Sequence, residues 1–367
     1  MIRFMAIGGF LGAGKTTTMI AAAKQLQDQG HKVALVTNDQ GAKLVDTQLV
    51  RSALHNVGEV TGGCFCCRFE DLMTVVDKLL SSGTIDTVMA EAVGSCTDLQ
   101  ATVIRPLRTL YGDRFTVAPL TVLLDPLRHR AVAGSLPLMA PAEDIAYLYG
   151  QQLAEADIIA INKIDLLTEQ DREDLREELT ARYPHATILT YSARQAENLA
   201  ALVAAWDEAP SPSPLVDIDY DRYAAAEAKL AWFNRSYTLT APAGFSAHQW
   251  AVTLLRHLSR VAAQRDWTIG HAKVAIDGSG ELTKLSLTAA GAAPTVDVAT
   301  EAVVTTATVN LNARVACEPS EMDAVAEAAV AVADAAAGCA SSSDAQPQVS
   351  FKPGYPRPVH RITQAIA

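Results

Sequence analysis

Four short runs hold the residues able to do chemistry. Gly9 to Thr16 reads GFLGAGKT and fits the pattern G-x-x-x-x-G-K-[ST]. Gly9, Gly12, Ala13 and Gly14 leave room for successive backbone N–H groups to turn inward and cradle phosphate oxygens. Lys15 brings a cation to the outer phosphates, which makes it a catalytic candidate. Thr16, followed by Thr17, offers a hydroxyl to Mg²⁺. The second catalytic candidate is Glu91 in EAVGSC. An acid at a strand end beside a phosphate loop holds Mg²⁺ through water or orients an attacking water. Gly94, three residues on, lets the backbone approach a γ-phosphate. Asp39 in NDQGAK is a further acid for the Mg²⁺ region, with an ordinary turn aspartate as its alternative. Asn162, Lys163 and Asp165 form NKID after the apolar run DIIAI. A carboxylate there can accept both the N1–H and the exocyclic amine of guanine, a donor pair that adenine lacks. Ser192 and Ala193 follow another strand and fit a last guanine-contacting loop.

The fourth run is TGGCFCC, Thr61 to Cys67, which holds three of the six cysteines. Thiolates are soft ligands that select zinc, copper(I), cobalt or iron–sulfur clusters. Gly62 and Gly63 permit a backbone tight enough to turn the sulfurs of Cys64, Cys66 and Cys67 toward one ion. Three small apolar residues under a helix, or a redox dithiol, are the competing readings. Three thiolates leave a tetrahedral site one ligand short. Cys96, Glu91, water or a side chain from the 38–46 loop can complete it. Cys96 is singled out because it follows Gly94 by two residues, so that one short loop would serve both sites.

The elements that must position these runs follow from periodicity. Residues 2–8, 32–37, 84–90, 116–124, 157–161 and 186–190 read as strands, and 15–29 and 68–81 as helices. Alternation of apolar strands with helices implies a parallel sheet covered on both faces. Residues 209–219 hold three prolines and mark a linker. Beyond it come strands at 232–240, 271–277, 281–288 and 302–311, with helices at 246–264 and about 321–337. The fold class is therefore α/β, a P-loop NTPase domain with a mostly parallel sheet followed by a smaller α+β C-terminal domain. The domains are read as 1–208 for the GTPase domain, 209–222 for the linker, 223–340 for the C-terminal domain and 341–367 for an extended, proline-containing tail. Residues 335–348 read as flexible.

Net charge is −11 over 367 residues, which argues against a nucleic-acid partner. No signal peptide and no membrane span is legible, so the expected compartment is a reducing cytoplasm. There, clustered cysteines favour metal over disulfides.

GGFLGAGKTTT, GGCFCC, EAVG and NKID, in that order, resemble the CobW-type metallochaperone GTPases. The resemblance covers residues 1 to about 205. It implies a SIMIBI-class P-loop domain, similar to CobW, HypB and UreG, that binds GTP and Mg²⁺. It further implies that a transition metal sits at the cysteine motif, zinc first, with cobalt(II) or iron(II) as alternatives. Hydrolysis is then coupled to handing the ion to a client metalloprotein, and a nucleotide-dependent homodimer is the assembly to test. The alternative function is a GTPase chaperone that protects or reactivates a corrinoid or metal enzyme without carrying free metal. Where the family carries Asn-Glu-Phe-Gly, this chain has Asn38 to Gly41, NDQG.

Overall fold

The computed structural model describes residues 1–39, 45–132, 143–209, 216–278, 280–343 and 350–363. They divide into two compact units. The first comprises Met1–Gln40, Ala53–Ala226 and Tyr355–Ala367, the second Gly41–Ser52 and Glu227–Gly354. Chain order and spatial grouping thus differ. A piece of the N-terminal half belongs to the second unit, and the last stretch of the tail belongs to the first.

The first unit is built on an eight-stranded sheet. Its strands are β1 (Ile2–Gly9), β2 (Val33–Asp39), β3 (Val57–Thr61), β4 (Thr87–Glu91), β5 (Phe115–Val117), β6 (Thr121–Leu124), β7 (Ile158–Ile161) and β8 (Thr187–Thr190). They pair in parallel in the order β3-β2-β4-β1-β6-β7-β8, with β5 also on β1. Every residue of β4, β6 and β7 is buried, as expected of strands covered on both faces. The helices of this unit are α1 (Lys15–Asp28), α3 (Phe69–Leu80), α4 (Arg105–Leu110), α5 (Pro126–Val132), α6 (Glu143–Ala154), α7 (Glu169–Arg182), α8 (Leu199–Ala205) and α9 (Tyr220–Ala228), while α2 (Val45–Ala53) falls largely in the second unit. Because β4 and β6 flank β1 on opposite sides, the chain reverses its winding at β1. In such sheets ligands bind at the loops on the carboxyl ends of the strands beside the switch point, here those of β1, β4 and β6.

The structure corrects two parts of the strand reading. The strand expected at 116–124 is two strands, both on β1. β5 lies beside Ile2–Phe4 and β6 beside Ile7–Gly9. Pro119, between them, has no N–H to give a ladder, and the Asp157 carboxylate takes the neighbouring Leu120 N–H at 2.7 Å. β3 was not foreseen. It is a short edge strand, largely half-exposed, and Gly58 and Glu59 break any apolar alternation in it.

The second unit holds a seven-stranded antiparallel sheet of β9 (Ala231–Ser246), β10 (Ile269–Gly278), β11 (Glu281–Leu287), β12 (Thr295–Val298), β13 (Val303–Val315), β14 (Ala340–Ser342) and β15 (Ser350–Phe351). α10 (Ala247–Gln264) and α11 (Pro319–Ala337) share a core with it. Trp250, Leu254 and Leu255 of α10 meet Ala326, Ala329 and Val330 of α11 and the inward residues Val274, Val309 and Leu311. The small alanines on α11 let it lie close to α10. The stretch 335–348 is more ordered than its composition suggests. α11 runs to Ala337 and β14 pairs with β9, while 344–348 lies outside the described residues. The linker reading at 209–219 falls partly outside them as well, at 210–215. No helix among the described residues is long and apolar enough to cross a membrane.

α2 is tied into the second unit by polar contacts. Val45 donates its N–H to Asn312 Oδ1 at 2.9 Å, and Asn310 Nδ2 donates to Gln48 Oε1 at 2.9 Å. Asp46 pairs with Lys273 at 2.6 Å and reaches Lys284 at 3.9 Å. All three charged groups are largely buried, and Lys284 also pairs with Asp297 at 3.3 Å. Removing the Asp46 carboxylate therefore takes the 2.6 Å ion pair from Lys273 and weakens the charge balance at Lys284. Asp46→Ala should therefore destabilise the second unit by about 2 kcal/mol and speed amide exchange in α2 ahead of the rest. Urea unfolding with hydrogen exchange checks this, and wild-type protection in α2 would contradict it.

Candidate functional site

The phosphate loop joins β1 to α1. Gly9, Gly12 and Gly14 all have positive φ, and Gly14 is the N-cap of α1. Lys15 is buried and donates to Gly9 O at 2.8 Å, inside the loop it belongs to. The Thr16 hydroxyl donates to Glu91 Oε2 at 2.8 Å and lies 3.1 Å from Oε1. The parallel pairing of Ile7 with Glu91 puts that carboxylate beside the loop. Thr16 and Glu91 together are a buried pair of hard oxygen donors, the ligand type Mg²⁺ takes, so the residues fit that ion. Thr17 is the third residue of α1, and Asp39 ends β2 opposite Thr61. Gly94 lies against the phosphate loop, and a Cβ on it would come within 2.6 Å of Leu11 Cδ2 and 3.0 Å of Leu11 N. Only glycine permits that approach.

The second strand-end cluster braces the same loop. Asn162 Nδ2 donates to Ala13 O at 2.9 Å, and its Oδ1 accepts the N–H groups of Lys163 and Ala193. Lys163 takes the left-handed conformation, and its ammonium reaches Gly12 O at 2.8 Å and Asp125 Oδ2 at 2.6 Å. Asp125 also accepts the N–H groups of Leu127 and Arg128 at the start of α5. Burial works to raise the Asp125 carboxyl, but Lys163 outweighs it and holds the group below the usual range. Ser192 donates its hydroxyl to Asp165 Oδ1 at 2.6 Å, which orients that carboxylate. The loops bearing Asn162, Lys163, Asp165, Ser192 and Ala193 thus form one hydrogen-bonded group around residues 12–14.

The thiol motif follows β3. The ligand atoms of Cys64, Cys66 and Cys67 all lie within 4.8 Å of one another. Cys66 Sγ is 2.7 Å from Cys64, 3.8 Å from Cys67 and 3.7 Å from Cys96. Four thiolates around zinc at about 2.3 Å stand about 3.8 Å apart, so two of these spacings match that edge and the Cys64–Cys66 spacing must open. Cys64, Cys66 and Cys96 are buried, and Cys67 is partly exposed. Cys96 touches Cys66 without joining the three-sulfur group. The neighbouring Cys64 thiol, with burial, pushes Cys67 up to about 11. Hydrogen bonding to the Cys64, Cys67 and Cys96 thiols, with burial, likewise raises Cys66 well above its ordinary value. Thiols so placed favour a bound cation over free thiolates, because an ion replaces the protons and offsets the crowded charge.

Three supporting residues escaped the sequence reading. Asn38, the neighbour of Asp39, donates to Val60 O and Gly63 O at 3.0 and 2.8 Å and accepts the Phe65 N–H at 3.0 Å. It fixes the backbone through the cysteines. Gln152 of α6 donates to Gly94 O at 3.0 Å and Cys96 O at 2.9 Å. Glu155 accepts the Thr97 hydroxyl at 2.9 Å and the Gln100 N–H at 3.0 Å. No pattern in one sequence marks a lone Asn, Gln or Glu as a clamp on a loop that lies distant in the chain.

A parallel sheet with a phosphate loop after its central strand and an acid on the adjoining strand defines a P-loop nucleotide-binding domain. Residues 3–190 match the family profile described as CobW/HypB/UreG, nucleotide-binding domain, and the chain belongs to that family. The zinc chaperone CobW of Pseudomonas aeruginosa is 25% identical over 220 residues, covering 51% of this chain and 56% of that protein. The zinc chaperone YeiR of Escherichia coli is 30% identical over 179 residues, covering 48% and 51%. The chain spans about half the length of the curated relatives it matches. Among solved structures, HypB from Helicobacter pylori in complex with nickel aligns with 55% of this chain and 84% of its own, at 19% identity and TM-score 0.40. Zn(II)-bound YjiA GTPase from Escherichia coli aligns with 90% and 98%, at 16% identity and TM-score 0.37.

Glu155 allows a test of the loop clamp. Burial raises its carboxyl to about 8, against about 4.3 in an unfolded chain. Between those values the folded state binds the extra proton, so stability falls as pH rises from about 4.5 to 8 and then levels. Glu155→Gln removes this titration. The stability difference between wild type and Glu155→Gln should shift against wild type across that window. A difference that is flat with pH would show that Glu155 is ionised throughout.

Proposed function

We propose that this protein is a GTP-hydrolysing zinc chaperone that carries the ion on clustered thiolates and passes it to a client metalloprotein. The observation that carries this reading is the loop from Glu91 to Cys96. Its first residue contacts Thr16 of the phosphate loop, its glycine packs on Leu11, and its cysteine touches Cys66. Nucleotide and cargo sites thus share six consecutive residues.

In this reading, backbone N–H groups of residues 12–14 and Lys15 hold the phosphates, and Lys15 draws off charge as it develops on the departing γ-phosphoryl oxygens. Thr16 and Glu91 would hold Mg²⁺, which would supply charge neutralisation to the nucleotide phosphates. Glu91 also orients the attacking water. Asp39 is a further acid for this region, and Thr17 a further contact to phosphate. Asp165, oriented by Ser192, accepts the guanine N1–H and amine, while Asn162, Lys163 and the Ala193 N–H frame the base. Cys64, Cys66 and Cys67 supply three ligands to zinc and Cys96 the fourth. Zinc is favoured by the thiolate set and by the zinc-chaperone names of the relatives. Cobalt(II) and iron(II) are the competing cargoes. A reducing compartment such as the cytoplasm keeps the thiols available. The resulting order is uptake on the thiols, loading of GTP, and release to the client when loss of the γ-phosphate moves the Glu91–Cys96 loop.

The test is zinc stoichiometry and nucleotide turnover on the same preparations. Wild type should bind one zinc under reducing conditions and prefer GTP to ATP. Cys66→Ser should weaken zinc binding by at least about 100-fold, more than loss of an outer-shell partner does, and still hydrolyse GTP. Lys15→Ala should lower turnover by at least about 100-fold and still bind zinc. Full zinc occupancy in Cys66→Ser, or a preference for ATP, would contradict the reading. GTP turnover in wild type with no zinc bound would favour the chaperone that carries no free metal.

A further inference from the structure

The tail takes an unexpected path. Tyr355–Thr363 lies in the first unit, along the thiol motif. Arg357 donates its backbone N–H to Cys67 Sγ at 3.1 Å. Two residues on, Val359 donates its N–H to Cys66 O at 2.9 Å. Pro356 and Pro358 alternate with these donors. Proline has no N–H and favours an extended backbone before it, so the run Pro-Arg-Pro-Val offers donors at alternate residues only. Both fall on the cysteines. The side chains of Arg357 and Val359 are exposed, so it is the backbone of the segment that meets the motif.

Further along, the segment is fastened. His360 stacks edge-on against Phe69, with ring centroids 5.0 Å apart, and its Nε2 lies 3.2 Å from Glu70 Oε1. Arg361 Nε donates to Asp98 Oδ2 at 2.7 Å. The Ile362 N–H donates to Ala101 O at 2.8 Å, and Arg105 reaches Ile362 O at 3.3 Å. Asp98 has a largely buried side chain and positive φ, and it also accepts the Tyr220 hydroxyl at 2.7 Å. It stands two residues after Cys96. The latch for the tail is therefore on the loop that runs from Glu91 past Cys96.

We propose that Tyr355–Thr363 is a strap closed over the thiol motif, that the Arg357 N–H is a positioning group for the Cys67 sulfur, and that bound metal exchanges only when the strap lifts from Asp98. This deepens the zinc-chaperone reading and rests on it. Of the three motif cysteines, Cys67 alone is partly exposed, so it is the natural point of exit for an ion. An N–H donated to its sulfur stabilises the thiolate and holds it in place. The strap lies against that sulfur through the Arg357 N–H, so lifting it opens the sulfur further to a ligand on a receiving protein. Because Arg361 is held by the Glu91–Asp98 loop, movement of that loop frees the strap and the ion together.

The experiment measures transfer of zinc from the full-length, zinc-loaded protein to an excess of a chromogenic chelator under reducing conditions. Arg357→Pro removes the N–H donor, whereas Arg357→Ala keeps it. Arg361→Ala opens the latch without touching the backbone. Transfer from Arg357→Pro and from Arg361→Ala should be at least about 10-fold faster than from wild type, the scale of losing an outer-shell partner. Arg357→Ala should match wild type. Equal rates in wild type, Arg357→Pro and Arg361→Ala would overturn the strap. Should Arg357→Pro fail to fold, the Arg361→Ala rate decides. A wild type that takes up no zinc would overturn the underlying zinc reading instead. The strap is then judged by alkylation of Cys67 in the metal-free protein, where equal labelling of wild type and Arg361→Ala overturns it.

Discussion

The parallel register of β1 and β4, with Ile7 opposite Glu91, is the constraint on which the site depends. It brings the phosphate loop and the acid loop to the same end of the sheet. Thr16 then meets Glu91, and Gly94 meets the backbone of Leu11. A one-residue slip would turn the carboxylate to the other face of the sheet. The burial of β1 and β4 on both faces resists such a slip, so packing energy is what holds the Thr16–Glu91 contact.

The thiol motif is placed by a second consequence of the same arrangement. β2 lies next to β4, and Asn38 near its end carries three hydrogen bonds to the chain leading into and through the cysteines. Gln152 and Glu155, on and just after α6, hold the facing loop at Gly94, Cys96, Thr97 and Gln100. Two fixed supports therefore flank the Cys66–Cys96 contact. Between them, the Glu91–Cys96 stretch contacts the phosphate loop at Thr16 and Leu11 and the thiol motif at Cys66, and in the proposed function it is the element that responds to both ligands.

Much of this was legible in the sequence, for physical reasons. Phosphate loops and strand-end acids are local patterns, because a glycine-rich turn and a strand end set their own geometry. Central strands of the first sheet were visible because burial on both faces leaves apolar runs, while strands of the second sheet such as β9 and β13 showed through their mixture of buried apolar and exposed positions. What escaped was non-local. β3 has too little apolar alternation to show, and the split at Pro119 depends on two segments sharing one partner strand. The membership of residues 45–52 in the second unit rests on Asn310, Asn312 and Lys273, more than 200 positions away. The path of the tail past Cys66 and Cys67 is set by backbone donors that composition does not reveal. Asp125 caps α5 and anchors Lys163 at once, a pairing across 38 positions that no local pattern shows.

The central claim is that nucleotide and metal are read by one loop. Cobalt(II) affinity, followed by its thiolate charge-transfer absorption, tests it most directly. It is measured with GDP and with a non-hydrolysable GTP analogue, in wild type and in Cys96→Ser. Coupling of about 1–3 kcal/mol corresponds to a difference of about 5- to 150-fold between the two states. The account predicts a difference of that size in wild type and its loss in Cys96→Ser. Equal affinity in both nucleotide states of the wild type would contradict it.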